Sequence, residues 1–381
     1  MITVNPYSNV DFSSCVFLLS NTHEHVMNQE TLERCYNRGV RNINLMHYSP
    51  AAPQKFEPGY QVEYIDYVSA TDTEHKTTRL SPLREYSNFV DKDGNSVDLD
   101  DIVVVPNSEQ PNIIGYHPML HTNYLGSEFA QPGSIAPLGE LDPDVRPANW
   151  RKEHPIVSPQ ELFDGVRNSL PLGKVFGTLN HPRLSGVPAS DLYNFVAESD
   201  GLIQAVEVFN ETSIPSMNEI HEAFYDSLLN MGYRLWCLSV IDWQGNNAEY
   251  YGQDMGGNML LLPSNYGSLT YVQKQNAILD AYIAGQYFPV GLGTLMITNV
   301  SVSGSNVTFT FNQSANTIYG IYDGVSRTIG TNVNTVTVDT KDCNKYFRLK
   351  ALGDNHEFIY SNPIFVEPSS DKLRKTYSVL F

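Results

Sequence analysis

Residues 15–25, CVFLLSNTHEH, decide the fold expected of this chain. A short apolar run, Cys15 to Ser20, passes directly into a polar stretch carrying two imidazoles, His23 and His25, and a run of this length bounded by polar residues reads as a buried strand. The same junction recurs downstream. Ile43 to Met46 runs into His47, and Ile102 to Val105 runs into Pro106, Asn107, Ser108 and Glu109. Val175 to Leu179 runs into Asn180, His181, Pro182 and Arg183, Ile203 to Phe209 ends at Asn210, and Leu235 to Ile241 runs into Asp242, Trp243 and Gln244.

Longer amphipathic stretches separate these runs. Ser158-Pro159-Gln160-Glu161 and Ser216-Met217-Asn218-Glu219 each place Ser three residues before Glu, the pattern of a capping box at a helix start. Leu162, Val166 and Leu170 then recur on one helix face, and Gln29 to Val40 carries a stop at Arg38-Gly39. Short strands alternating with helices predict an α/β barrel of parallel strands over residues 15–295. In such a barrel the strand C-termini open on one face, where residues distant in sequence converge. From about residue 296 the pattern becomes Ser/Thr/Val alternation broken by Gly and Asn, as in VSVSGSNVTFTF and VNTVTVDT. This predicts a small all-β sandwich over 296–368, flanked by an N-terminal extension (1–14) and a C-terminal tail (369–381).

Composition bounds the partners. The 381 residues are 41% hydrophobic and include 23 Tyr, enough to bury a large core and to exclude a disordered chain. With 24 basic against 42 acidic residues the net charge is −18, which argues against nucleic acid as a bulk partner. No run reaches the roughly 20 apolar residues of a membrane span, and the first residues lack the basic segment of a secretory signal. The four Cys (Cys15, Cys35, Cys237, Cys343) have no CxxC spacing. Disulfides are not expected, and a cytoplasmic setting is the default expectation.

Imidazoles and carboxylates at a common rim are the donor set for Zn, Mn or Fe. Two such ions about 3.5–4 Å apart would activate a water for attack on a phosphoryl group without a protein nucleophile. Arg183 has the chemistry to clamp a phosphate in bidentate fashion, and His181, preceding Pro182, is expected in extended backbone geometry.

At these residues the chain resembles the polymerase and histidinol phosphatase (PHP) family of metal-dependent phosphoesterases, in the branch with a C-terminal β-rich module. The matching features are His23-x-His25, His47, Glu109, the HTNYLG segment beginning at His121, Asn180-His181-Pro182, the VEVFN segment ending in Asn210, Asp226, and Asp242 after LSVI. The resemblance implies a distorted (β/α)7 TIM-like barrel holding a binuclear site of two divalent transition-metal ions. His23, His25, Glu109 and Asp242 would ligate one ion, and Glu109, His121 and His181 the second, with Glu109 bridging. His47 and Asp242 would assist proton transfer, while His47, Arg183 and Asn210 would hold substrate. The chain departs from the family at Met46, where Asp is usual, and at Gln244, where His is usual, so two metals rather than three are expected.

The expected activity is hydrolysis of a small phosphorylated substrate, carried by a homo-oligomer or a larger assembly. The alternative is a scaffold or binding protein that kept the architecture while catalysis decayed, such as a component of a virion or cell-surface assembly. A third reading keeps one metal for structure alone.

Overall fold

The alternation of short apolar runs and helices is present, but the strands do not close into a parallel barrel. The computed structural model describes residues 1–24, 29–45, 87–107, 109–110, 113, 115–117, 120–127, 129, 158–182, 186–211, 215–242, 256–291, 293–354 and 357–367. One sheet has eleven strands. It takes β1 (Ile2–Val4), β2 (Val16–Glu24) and β3 (Asn42–Leu45) from the N-terminal part, β11 (Gly257–Leu262) and β12 (Tyr287–Val290) from the middle, and β13 (Ile297–Ser303), β14 (Asn306–Tyr322), β15 (Val325–Asp339), β16 (Tyr346–Leu352), β17 (Phe358–Tyr360) and β18 (Ile364–Val366) from the C-terminal part. Its order is β1-β18-β16-β17-β12-β11-β2-β3, with β13 and β15 attached through β14. A five-stranded sheet runs in the order β10 (Trp236–Val240), β9 (Ile203–Asn210), β8 (Phe176–Leu179), β7 (Thr122–Leu125), β6 (Glu109–Gln110), and β4 (Phe89–Val90) pairs with β5 (Ser96–Val97) as a separate hairpin.

Among the described strands, only β2–β3, β8–β9 and β9–β10 are parallel pairs. They are bridged by α1 (Gln29–Asn37), α3 (Ala189–Glu198) and α4 (Pro215–Met231), while α2 (Pro159–Arg167) precedes β8. The expected (β/α)7 TIM-like barrel is therefore corrected to large mixed sheets with five α-helices among the described residues. Strand direction is what the pattern could not carry. α5 (Tyr271–Ala284) joins β11 to β12, yet those two strands are antiparallel neighbours. The 102–105 run makes only an isolated bridge, Val103 to Asn42, and β6, β7 and β8 pair antiparallel. Nor do the strands after residue 296 stand apart as a sandwich, because β17 pairs with β12 and the same sheet continues through them.

Local signals fare better in some places than in others. The Ser158 capping box forms, with Glu161 N–H donating to Ser158 Oγ at 3.3 Å and Ser158 N–H to Glu161 Oε2 at 2.8 Å. α2 stops at Arg167, so Leu170 is not on it. α4 already begins at Pro215, which puts Ser216 inside the helix rather than at its cap.

Side-chain amides join the two sheets where a ladder would close a barrel. A parallel edge strand turns the N–H and C=O of alternate residues outward, and buried groups of this kind need partners. On β10 those residues are Cys237 and Ser239. Cys237 N–H donates to Asn362 Oδ1 at 2.9 Å, Ser239 N–H donates to Asn258 Oδ1 at 3.2 Å, and Asn258 Nδ2 donates to Ser239 O at 2.9 Å. At the far edge, Asn42 Nδ2 donates to Val103 O at 2.6 Å and Val105 N–H to Asn44 Oδ1 at 3.2 Å. All four Asn are buried. The result holds the end of β2 against the end of β10, where Asp242 N–H donates to His23 O at 2.9 Å.

Candidate metal centre

Six strand ends deliver polar side chains to one buried place. β2 supplies His23, β6 begins at Glu109, His121 immediately precedes β7, Asn180 and His181 follow β8, β9 contains Glu207 and Asn210, and Asp242 follows β10 by two residues. His23, Glu109 and Glu207 are 0% exposed, His121 and His181 2%, and Asp242 6%. Carboxylates this deeply buried need charged or hydrogen-bonding partners.

His23 is the hub. Its Nδ1 lies 2.7 Å from Glu207 Oε1, and its Nε2 lies 3.0 Å from Asp242 Oδ1 and 3.5 Å from Glu109 Oε2. On the other side of Glu109, His121 Nδ1 lies 2.9 Å from Oε1, which also accepts from Asn180 Nδ2 at 3.3 Å. Glu109, His121 and His181 each offer a ligand atom within 4.8 Å of the others. Ligands 2.0–2.2 Å from one ion sit roughly 3–3.5 Å apart, so small rotations of these side chains would bring them onto a common ion. His181 Nε2 is 3.7 Å from Asp242 Oδ2, while its buried Nδ1 has no hydrogen-bond partner among the described residues.

The electrostatics suit a cation. Burial alone would depress the His23 pKa, but Asp242, Glu207 and Glu109 outweigh it and hold the imidazole well above its ordinary value. Burial would raise Glu109, yet His23 and His121 keep its carboxyl well below the usual range. His181 is lowered by burial, with His121 adding to the effect against the nearby carboxylates. The nitrogen and oxygen donors, the buried Nδ1 of His181 and the negative potential all fit a divalent ion.

Two of these residues have unusual backbones. His181 has φ of +23° and Asp242 φ of +50°, in a region that costs a non-glycine residue of order 1 kcal/mol or more. The extended geometry expected for His181 before Pro182 is thus not adopted. Asp226, part of the sequence resemblance, is remote from this cluster in its bonding and pairs with Arg348 and Tyr346. His117 gives its backbone N–H to Asp191 Oδ2 at 3.1 Å. Asn210 joins the cluster, its Nδ2 donating to Asp242 Oδ2 at 2.9 Å and Glu207 Oε2 at 3.0 Å. His25, His47, Arg183, Met46 and Gln244 lie outside the described residues.

Sequence reasoning missed Glu207 and Asn180. Glu207 had a signal, since an acidic residue inside the apolar run VEVF of a parallel strand is buried on both faces and must be partnered. Asn180 stood in the Asn180-His181-Pro182 segment that matched the resemblance but was given no role there. No protein-family model matches the chain, and no curated protein matches it.

Proposed function

We propose that this chain is a metal-dependent hydrolase of small phosphate esters, with Glu109 shared between two divalent transition-metal ions such as Zn, Mn or Fe. The observation that carries this is the convergence of His23, Glu109, His121, His181 and Asp242, from five strand ends, into one buried cluster. His23, Glu109 and Asp242 would hold one ion, and Glu109, His121 and His181 the other. When bound, such ions lower the pKa of water toward about 7 and stabilise charge developing on a phosphoryl oxygen. Asp242, the most exposed member of the cluster, would accept and return a proton at its carboxylate, which Asn210 Nδ2 holds by a hydrogen bond. The order of these residues along the chain resembles that of the PHP phosphoesterases, and the choice of a phosphate ester rests on that resemblance.

The experiment is hydrolysis of aryl phosphate mono- and diesters by the purified chain with added Mn²⁺. Turnover is expected, with loss in both Glu109→Gln and Asp242→Ala. A second reading, a metal held for structure alone, is favoured by the near-complete burial of the ligands. Under it, chelation lowers the melting temperature while no ester is turned over.

A further inference from the structure

Glu207 has both carboxylate oxygens committed to its neighbours in the cluster. It lies inside β9, with β8 and β10 on either side. A carboxylate oxygen accepts hydrogen bonds, and at 2.7 Å from Glu207 Oε1 the Nδ1 of His23 is the matching donor. Oε2 takes two donors, the His181 backbone N–H at 2.7 Å and Asn210 Nδ2 at 3.0 Å. One buried side chain therefore fixes the ring of His23 on β2, the left-handed turn at His181 after β8, and Asn210, whose amide in turn holds Asp242.

We infer that Glu207 is a positioning residue: it keeps the proton of His23 on Nδ1, so that Nε2 faces Asp242 and Glu109 as a metal ligand, and it pins the backbone that presents His181. This rests on the metal-centre reading for its consequence but not for its geometry. A carboxylate behind a ligating imidazole sets ring tautomer and orientation, and loss of such a partner typically weakens metal affinity 10- to 100-fold.

Glutamine at this position gives a sharp test, because it keeps the shape and replaces one acceptor oxygen with a donor NH₂. Two donors converge on Oε2 and one on Oε1, so the remaining oxygen of Glu207→Gln faces His181 and Asn210. Its NH₂ then faces His23 Nδ1, which must give up its proton to become the acceptor, leaving the ring proton on Nε2, the atom a metal needs free. The readout is ¹⁵N-histidine NMR of the metal-free full chain together with Zn²⁺ affinity from chelator competition. Nδ1 of His23 is expected to be protonated in the wild type and unprotonated in Glu207→Gln, with Zn²⁺ binding 10- to 100-fold weaker. Glu207→Asp, which keeps the charge but shortens the reach, serves as a second variant if the glutamine protein does not fold. It is expected to lose the Nδ1 proton and to weaken Zn²⁺ binding likewise. An Nδ1 proton that persists unchanged in a folded Glu207 variant overturns the inference, as does wild-type affinity in that variant. A wild type that binds no Zn²⁺ sinks the metal reading instead, and the NMR comparison still decides the role of Glu207.

Discussion

Replacing Arg348 with Met should destabilise the chain by about 3–5 kcal/mol, the usual cost of breaking a buried ion pair by removing one partner, since Glu222 and Asp226, themselves partly buried, lose their cation. Arg348 on β16 is fully buried. Its Nε and Nη2 donate to Asp226 Oδ1 and Oδ2 at 2.8 and 2.7 Å, and Nη2 also donates to Glu222 Oε1 at 2.9 Å. Both acids lie on α4, four residues apart. Without the guanidinium, Glu222 keeps Lys350 Nζ at 2.8 Å, but Asp226 keeps only the Tyr346 hydroxyl at 2.8 Å among the contacts described. The effect should fade in acid. Burial would raise Glu222, yet Arg348 and Lys350 outweigh it and hold its pKa at about 2, below the ordinary 4.5. A depressed acid contributes stability above its unfolded pKa and loses it as pH falls through the folded value. That contribution is about 3 kcal/mol at neutral pH and disappears between roughly pH 4.5 and 2. Urea denaturation of wild type and Arg348→Met at a series of pH values measures this. A loss under about 1 kcal/mol at pH 7, or a gap as wide near pH 2.5 as at pH 7, would refute the reasoning.

Asn258→Leu should cost about 2–5 kcal/mol in urea denaturation, because it strands the N–H and C=O of Ser239 at the join between the sheets; a neutral outcome would mean that the amide bonds do not hold β10. Gly126→Ala should cost about 2 kcal/mol or more, since Gly126 has φ of +94° and an added Cβ would run into the Lys174 carbonyl and the Leu279 side chain; an unchanged melting temperature would contradict this. Because His23 is held above its ordinary pKa, an incoming metal must displace its proton, so Zn²⁺ affinity by dye competition should rise with pH, and a flat profile would count against His23 as a ligand. In the metal-free protein the same raised pKa contributes stability that is full below the unfolded value of about 6.5 and is lost as pH rises through the folded one.

What could be read from the sequence was chemical more than architectural. The junctions CVFLLSNTHEH, LNHP and VIDW placed His23, His181 and Asp242 at strand exits, because an apolar run ending in a polar residue reads the same whichever way its neighbours run. Strand direction depends on long-range pairing that hydrophobic rhythm does not encode. α5 between two antiparallel neighbours reads like a crossover helix, and the 102–105 run reads like a strand although Asn42 and Asn44 meet its backbone in place of a ladder. The cross-sheet roles of Asn258 and Asn362 were likewise invisible, since a lone Asn in a sequence looks like a turn former. Glu207 was visible as an acid inside a strand, but its three hydrogen-bond donors come from β2, from the turn after β8 and from Asn210 on its own strand, and no local pattern names them.

The central claim is that this buried cluster grips cations, and metal stoichiometry tests it most directly. Elemental analysis after equilibration with Zn²⁺ or Mn²⁺ and removal of excess ion should give about two ions per chain for the wild type, with fewer for His181→Ala and His23→Ala variants that remain folded. A wild type that retains no ion, or variants that retain as much as the wild type, would contradict it.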